Sequence, residues 1–400
     1  MSSATKIFPV TTSSPHTSWS YGPFTAFACG LFVILGIVTT LLGPILPLLS
    51  VRWSISAQQA GSLFFWQFIA STIGTLLSGA VLSKRTFKLV VITGVALCVL
   101  GVAALIQADW NLGRYAVASY GFGLGVALPA MNLAVAQANP KRRAASVSLL
   151  NFSWGIGALV GPMLLRVAHS LDLFLMLLAV VIALALIGST FTRMPTREVH
   201  TTVPSAKEHH RSDLRVLIPL LAFSMFLFCG VENAIAGWAS SLALPNFSSA
   251  YAATSANIAF WAFFLAARAL APAALRVVSE PGLLLTSIIL AAAGVLGLYF
   301  AVDAPRILLA CAVAGLGVGP GFPLVISKVS ESIGPRHPAA TVCFAFAGVG
   351  AATMSSLVGV IGGRVGQPRA GLVVPIAGLL ILLAVTRAFR QHTVSVTATA

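Results

Sequence analysis

One carboxylate stands apart from the other acids of this chain. Glu232 lies well inside a long apolar run, beside Asn233 and six residues before Trp238. A carboxyl in a lipid-filled interior is expensive to place, so it points to a task. It can carry a proton, or accept hydrogen bonds from solute hydroxyls. The other acids sit at the margins of such runs. Asp109, Asp172 and Asp303 fall at predicted outer ends, and Glu198, Glu208, Asp213, Glu280 and Glu331 fall in or near gaps on the opposite side. Neutral polar groups share the setting of Glu232. Gln67, Asn132, Asn151, Asn233 and Asn257 lie inside apolar runs, as do Trp66, Trp154, Trp238 and Trp261. Amides bond hydroxyls, and an indole face packs on the C–H face of a sugar ring. The candidate solute-binding set is therefore Gln67, Asn132, Asn151, Trp154, Glu232, Asn233, Trp238, Asn257 and Trp261, with Glu232 as proton carrier. Each alone also serves as a helix–helix hydrogen bond or an interfacial anchor. Arg268, toward the end of the eighth run, is expected to gate or to clamp a loop.

The elements that hold these residues follow from composition. Of 400 residues, 58% are hydrophobic and 8% charged. A soluble domain carries about 25% charged residues to cover its surface. This chain has too few, so lipid must face most of it. A span needs roughly 20 apolar residues. Such runs fall near 24–49, 57–82, 88–108, 112–138, 145–168 and 171–191, and again near 215–243, 251–274, 281–301, 304–327, 340–363 and 369–389. The expected fold is an all-α membrane protein of twelve spans. Residues 1–23 and 390–400 are expected as tails, 24–191 and 215–389 as two six-helix bundles, and 192–214 as a polar linker.

The bundles repeat. Trp66 is matched by Trp261, 195 residues later. Gly123-Leu-Gly-Val recurs at Gly315, 192 later, and Gly155-Ile-Gly-Ala recurs as Gly348-Val-Gly-Ala, 193 later. Span n thus pairs with span n+6 in the same orientation, as in parallel transporter repeats. Gly161-Pro162 and Gly319-Pro320 can bend or loosen their helices, because proline removes a backbone donor.

The net charge of +15 is read as orientation, not nucleic-acid binding. One set of alternate gaps holds most of the lysines and arginines, among them Lys84, Arg85, Lys141, Arg142 and Arg143. The opposite gaps hold Arg52, Arg114, Arg166, Arg306, Arg364 and Arg369. The rich side is the cytoplasmic one. Both termini are expected there, in a plasma-membrane protein that works as a monomer. The five cysteines lie in apolar runs with no CxxC and no neighbouring histidine, so neither a disulfide framework nor a zinc site is expected. No nucleotide-binding loop or catalytic triad pattern appears. No cofactor and no enzymatic activity are expected. Asn246-Phe-Ser248 fits a glycosylation sequon in an outer loop.

These motifs resemble the major facilitator superfamily, and within it the fucose–galactose–glucose:proton symporter branch. Gly43-Pro-Ile-Leu-Pro-Leu-Leu49 and Ile55-Ser-Ala-Gln-Gln-Ala-Gly61 are similar to that branch in and after span 1. Asn151-Phe-Ser-Trp-Gly-Ile-Gly-Ala-Leu-Val-Gly-Pro162 is similar in span 5. Gly230-Val-Glu-Asn-Ala-Ile-Ala-Gly-Trp238 resembles its span 7, and Gly315-Leu-Gly-Val-Gly-Pro-Gly-Phe-Pro323 its span 10. The resemblance implies a central cavity and alternating access, with a hexose as solute and H+ or Na+ as possible co-ion. Two departures stand out. In the loop after span 2, Ser83 and Thr86 replace the family's Asp and Gly. In span 4, Asn132 matches, but Leu128 holds the acidic position. Coupling then falls to Glu232 or is absent. Export of an amphipathic compound, or a transport-inactive sensor, remains open on the residues alone.

Overall fold

The computed structural model describes residues 22–82, 86–195, 211–333 and 338–398. Residues 1–21 of the expected N-terminal tail, most of the linker, and Lys84 and Arg85 lie outside them. Among the described residues there are only helices and turns, and twelve helices are long and apolar enough to cross a membrane. They are Gly22–Arg52, Ala57–Leu82, Phe87–Gln107, Trp110–Ala138, Arg143–Ala168 and Leu171–Phe191 in the first half. In the second they are Leu217–Asn246, Ala250–Ala274, Glu280–Phe300, Ala304–Lys328, Val342–Val365 and Pro368–Thr386. We number them spans 1 to 12. The last helix runs on to Ala398, through the segment expected as a tail, and the helix of span 7 begins at Arg211, inside the expected linker.

The tightest gaps are closed by caps. Asp109 accepts a hydrogen bond from the Leu112 N–H at 2.8 Å, and Asp303 accepts one from the Arg306 N–H at 2.9 Å. Each caps a helix start that has no intrahelical acceptor for its N–H groups. Spans 3 and 4 are thus separated by two residues, and spans 9 and 10 by three. Thr86, which stands at the family's glycine position, caps span 3 through Leu89 N–H. Asp172 pairs with Arg52 at 2.7 Å. Asn246 of the sequon is occupied in another way: its amide donates to the Val302 carbonyl and its oxygen accepts from Arg369, which ties three loops together.

The two halves pack alike. Span 1 lies on span 5 as span 7 lies on span 11. Span 2 lies on span 4 as span 8 lies on span 10, and the 3–4 and 3–6 contacts recur as 9–10 and 9–12. Glycines set the first of these contacts. A Cβ on Gly157 would run into the Val33 carbonyl, and one on Gly36 into the Trp154 carbonyl. In the second half, Gly350 meets the Phe226 carbonyl and Gly230 meets Met354. Lipid supplies no hydrophobic drive between helices, so backbone approach of this kind carries the association. Gly157→Ala should therefore lower the melting temperature in detergent, at a cost of about 1–3 kcal/mol for overpacking. Gly30→Ala, where a Cβ meets nothing within 4 Å, should not.

Two spans are broken well inside their length. Span 1 turns at Thr40–Leu41, and span 10 at Gly319–Pro320. Gly161–Pro162, expected to loosen span 5, does not break it: the helix runs from Arg143 to Ala168. The difference is proline number. Span 5 has one proline. Spans 1 and 10 each have, besides one at the start (Pro23, Pro305), two that lie three residues apart: Pro44 with Pro47, and Pro320 with Pro323. Two missing donors within one turn cost too much to bridge. Each helix restarts so that Pro44 or Pro323 falls in its first turn, where an N–H would be unpaired anyway.

Between the halves, span 2 runs along span 11 and span 5 meets span 8, while the second part of span 1 meets span 7. The contacts gather at the end that carries Trp53. There Arg166 bonds the Ser255 hydroxyl, His169 lies on Tyr251 with ring centroids 5.7 Å apart, and Gln58 faces Gly363. Ser356 bonds the Gly61 carbonyl at 3.0 Å, and the contact continues to Thr72 against Gly348. One turn-pair further along the same face of span 2, Gly79 has nothing within 4 Å. The halves are closed at the Trp53 end and part toward the other.

Candidate functional site

At mid-height, where span 1 breaks, a narrow open-sided cleft with about 20 Å³ of free space lies between the halves. Span 1 contributes Thr39, Thr40, Leu42 and Gly43. Span 2 adds Phe64, Gln67 and Phe68. Across from them stand Asn233, Ala236 and Gly237 of span 7 and Trp261 of span 8. Gly43 and Gly237 are there because backbones and rings come close: a Cβ on Gly43 would lie 2.9 Å from the Ala236 carbonyl, and one on Gly237 would lie 2.7 Å from the Phe64 ring.

The break organises the floor of the cleft. Gln67 donates to the Thr39 carbonyl at 2.7 Å, and its own oxygen accepts from the Tyr120 hydroxyl at 3.1 Å. Trp154 donates to the Thr39 hydroxyl at 3.2 Å. A carbonyl near a helix break needs an external donor, and here a buried amide supplies it. Gln67 thus spends both ends of its amide on protein. Asn233 spends one: its NH2 donates to the Cys229 carbonyl at 2.8 Å. The Asn233 oxygen has no partner among the described residues. Trp261 is 2% exposed, and its indole N–H is buried with no acceptor. Its ring is held edge-on by Trp154 at 5.8 Å, Phe260 at 5.1 Å and Phe264 at 5.0 Å.

Glu232 lies one residue from the cleft but is turned to another neighbour. Its carboxylate is 3.8 Å from the Arg268 guanidinium, with the two side chains 10% and 18% exposed. Arg268 also donates from Nε to the Gly319 carbonyl at 3.1 Å, and lies over the Phe264 ring at 4.2 Å. Gly319 stands four residues before Pro323, whose missing N–H would have bonded that carbonyl in a continuous helix. The arginine therefore joins the acid of span 7 to the break in span 10. Among acids with described side chains, Glu232 is the buried one.

The other expected residues divide. Trp238 bonds the Ser355 carbonyl at 2.8 Å and packs on Phe64, so it knits spans 2, 7 and 11. Asn257 is 1% exposed, with its oxygen accepting from Ser240 and its NH2 donating to the Ala236 carbonyl. Asn151 donates to Asn132 at 3.2 Å, and Asn132 to the Leu128 carbonyl at 3.1 Å. That amide pair lies nearer the open end and outside the lining of the cleft. Sequence reasoning missed Thr39, Thr40, Tyr120, Phe64 and Phe68. A polar pair just ahead of two closely spaced prolines was the available signal for Thr39 and Thr40.

Twelve spans in two like-packed halves, with a polar cleft between them, define a transporter fold. The chain belongs to the Major Facilitator Superfamily, whose model matches residues 28–346. No curated protein sequence matches it significantly. Among solved structures it is similar to the E. coli fucose:proton symporter, with a TM-score of 0.61 and 17% identity, over 92% of this chain and 99% of that one. It is also similar to a D-xylose-proton symporter, at TM-score 0.71 and 15% identity over 90% and 96%, and to the nucleoside transporter NupG, at 0.68 and 15% over 92% and 97%. At such identities the likeness carries the fold and not the solute.

Proposed function

We propose that this chain is a secondary transporter of a small polar solute of hexose type, working by alternating access and coupled to protons through Glu232. The observation that carries the reading is the cleft itself: amide, hydroxyl and indole groups between the halves, one residue from a buried acid. Aromatic walls with few polar groups suit an uncharged ring that bears hydroxyls. The lysines and arginines that flank the open end argue that it faces the cytoplasm of a plasma membrane, with both termini there. The conformation described would then be the inward-open one. The bundles 24–191 and 215–389 are the bodies that would rock, and one copy of the chain carries a complete cleft.

The experiment is a solute panel. Purified protein is scanned for thermal stabilisation by hexoses, pentoses, nucleosides and lipophilic cations, and the binders are then tested for uptake into proteoliposomes. Stabilisation and flux of a sugar would support the reading. Stabilisation by lipophilic cations alone would replace it with export of amphipathic compounds.

A further inference from the structure

We infer that the indole N–H of Trp261 is the anchoring donor of the cleft, which selects an uncharged solute that presents an acceptor oxygen to it. This deepens the proposed function and rests on that reading of the cleft.

The argument is an inventory of unspent hydrogen-bonding groups. A buried donor without an acceptor is costly, so natural interiors pair nearly all of them. Around this cleft nearly everything is paired. Gln67 is used at both ends, the Thr39 hydroxyl joins Leu35 and Trp154, and the Thr40 hydroxyl bonds the Gly36 carbonyl. Two groups on residues of the lining stand out among the described residues: the Trp261 N–H, with no acceptor, and the Asn233 oxygen, with no donor. They lie on neighbouring spans of the same half. One gives a hydrogen bond and the other takes one. The matching solute offers an acceptor oxygen beside a hydroxyl or N–H.

The donor is also held in place. Three rings grip the Trp261 indole on its edges and faces, so little entropy is lost when it binds. No charged side chain lines the cleft. The acid nearest to it is turned to Arg268. An organic cation would find neither a carboxylate nor a use for the free N–H. A site built to hydrogen-bond its ligand rejects one that lacks the group, because its own polar atom is then left unpaired.

Trp261→Phe separates this role from packing. Phenylalanine keeps an aromatic ring among its three neighbours and removes an N–H that has no partner in the solute-free protein. Melting of the solute-free variant should fall only modestly, by the packing lost with the smaller ring. Binding of the hexose found in the panel should weaken roughly tenfold, the loss of one hydrogen bond at the upper end for neutral pairs. A series of monodeoxy hexoses sharpens the test. One deoxy sugar should bind wild type as weakly as the parent sugar binds Trp261→Phe, and that variant should no longer distinguish the two. Asn233→Ala supplies a second, independent variant, with a different deoxy position losing its effect. A variant that binds the parent hexose as tightly as wild type overturns the anchor while leaving hexose transport intact. A panel in which only lipophilic cations bind overturns both.

Discussion

Glu232→Gln is expected to abolish proton-driven accumulation of solute in proteoliposomes while leaving downhill exchange. One proton moving down a gradient of one pH unit supplies about 1.4 kcal/mol, enough for roughly tenfold accumulation. Wild-type protein under an acid-outside gradient should approach that ratio, and Glu232→Gln should stay near unity at every pH. Glutamine preserves shape and can still accept a hydrogen bond from Arg268, so folding should survive. The argument for this residue is exclusion as much as position. Asp109 and Asp303 cap helices, Asp172 pairs with Arg52, and Glu280 pairs with Lys328 at 3.6 Å. Each is at a helix end. Glu232 is held inside the second half, where Arg268 links it to the break in span 10. Unchanged accumulation in Glu232→Gln would remove it as the proton carrier and leave facilitated diffusion or a sodium-coupled route.

The second large effect is on stability. Arg268→Ala takes the counter-charge from Glu232 and the donor from the Gly319 carbonyl in one step. Removing one partner of a buried pair typically costs about 3–5 kcal/mol, because the other charge stays buried. At 3.8 Å the pair is not a tight one, and about 3 kcal/mol is the expected loss. It reads as a lower melting temperature in detergent. The double variant Glu232→Gln with Arg268→Met should recover much of it, since neither charge then remains and the methionine fills the space over Phe264. If Arg268→Ala melts with wild type, the pair holds nothing, and Arg268 is free to act only as a gate.

The fold was largely legible because its signal is bulk hydropathy. The boundaries of span 6 were read to the residue, since polar gaps frame it. The repeat was legible from three glycine and tryptophan matches, one of which includes Gly157 and Gly350, yet their partner glycines in spans 1 and 7 were overlooked. Gly36 with Gly157, and Gly230 with Gly350, hold equivalent helix pairs at offsets of 194 and 193 residues. Small residues are too common in such spans for single glycines to be noticed before their partners are known. The proline argument was half right. A Gly-Pro pair was taken as the unit of weakness, whereas the spacing of two prolines decides. The site was the least legible part. Listing polar residues inside spans named Gln67, Asn233 and Trp261, which the structure places along one space. It gave Trp238 and Asn257 by the same rule, and these are spent on helix–helix bonds. Composition shows that an amide is buried. Only geometry shows whether its hydrogen bonds are already taken.

The two broken spans do not occupy equivalent places in the repeat. Span 1 corresponds to span 7, and span 10 to span 4, and both of those counterparts are continuous helices. Beyond its break, span 1 continues toward the closed end and lies on span 7. Beyond its own, span 10 continues toward the open end. Each mouth of the pathway thus has its own jointed segment, one drawn from each half.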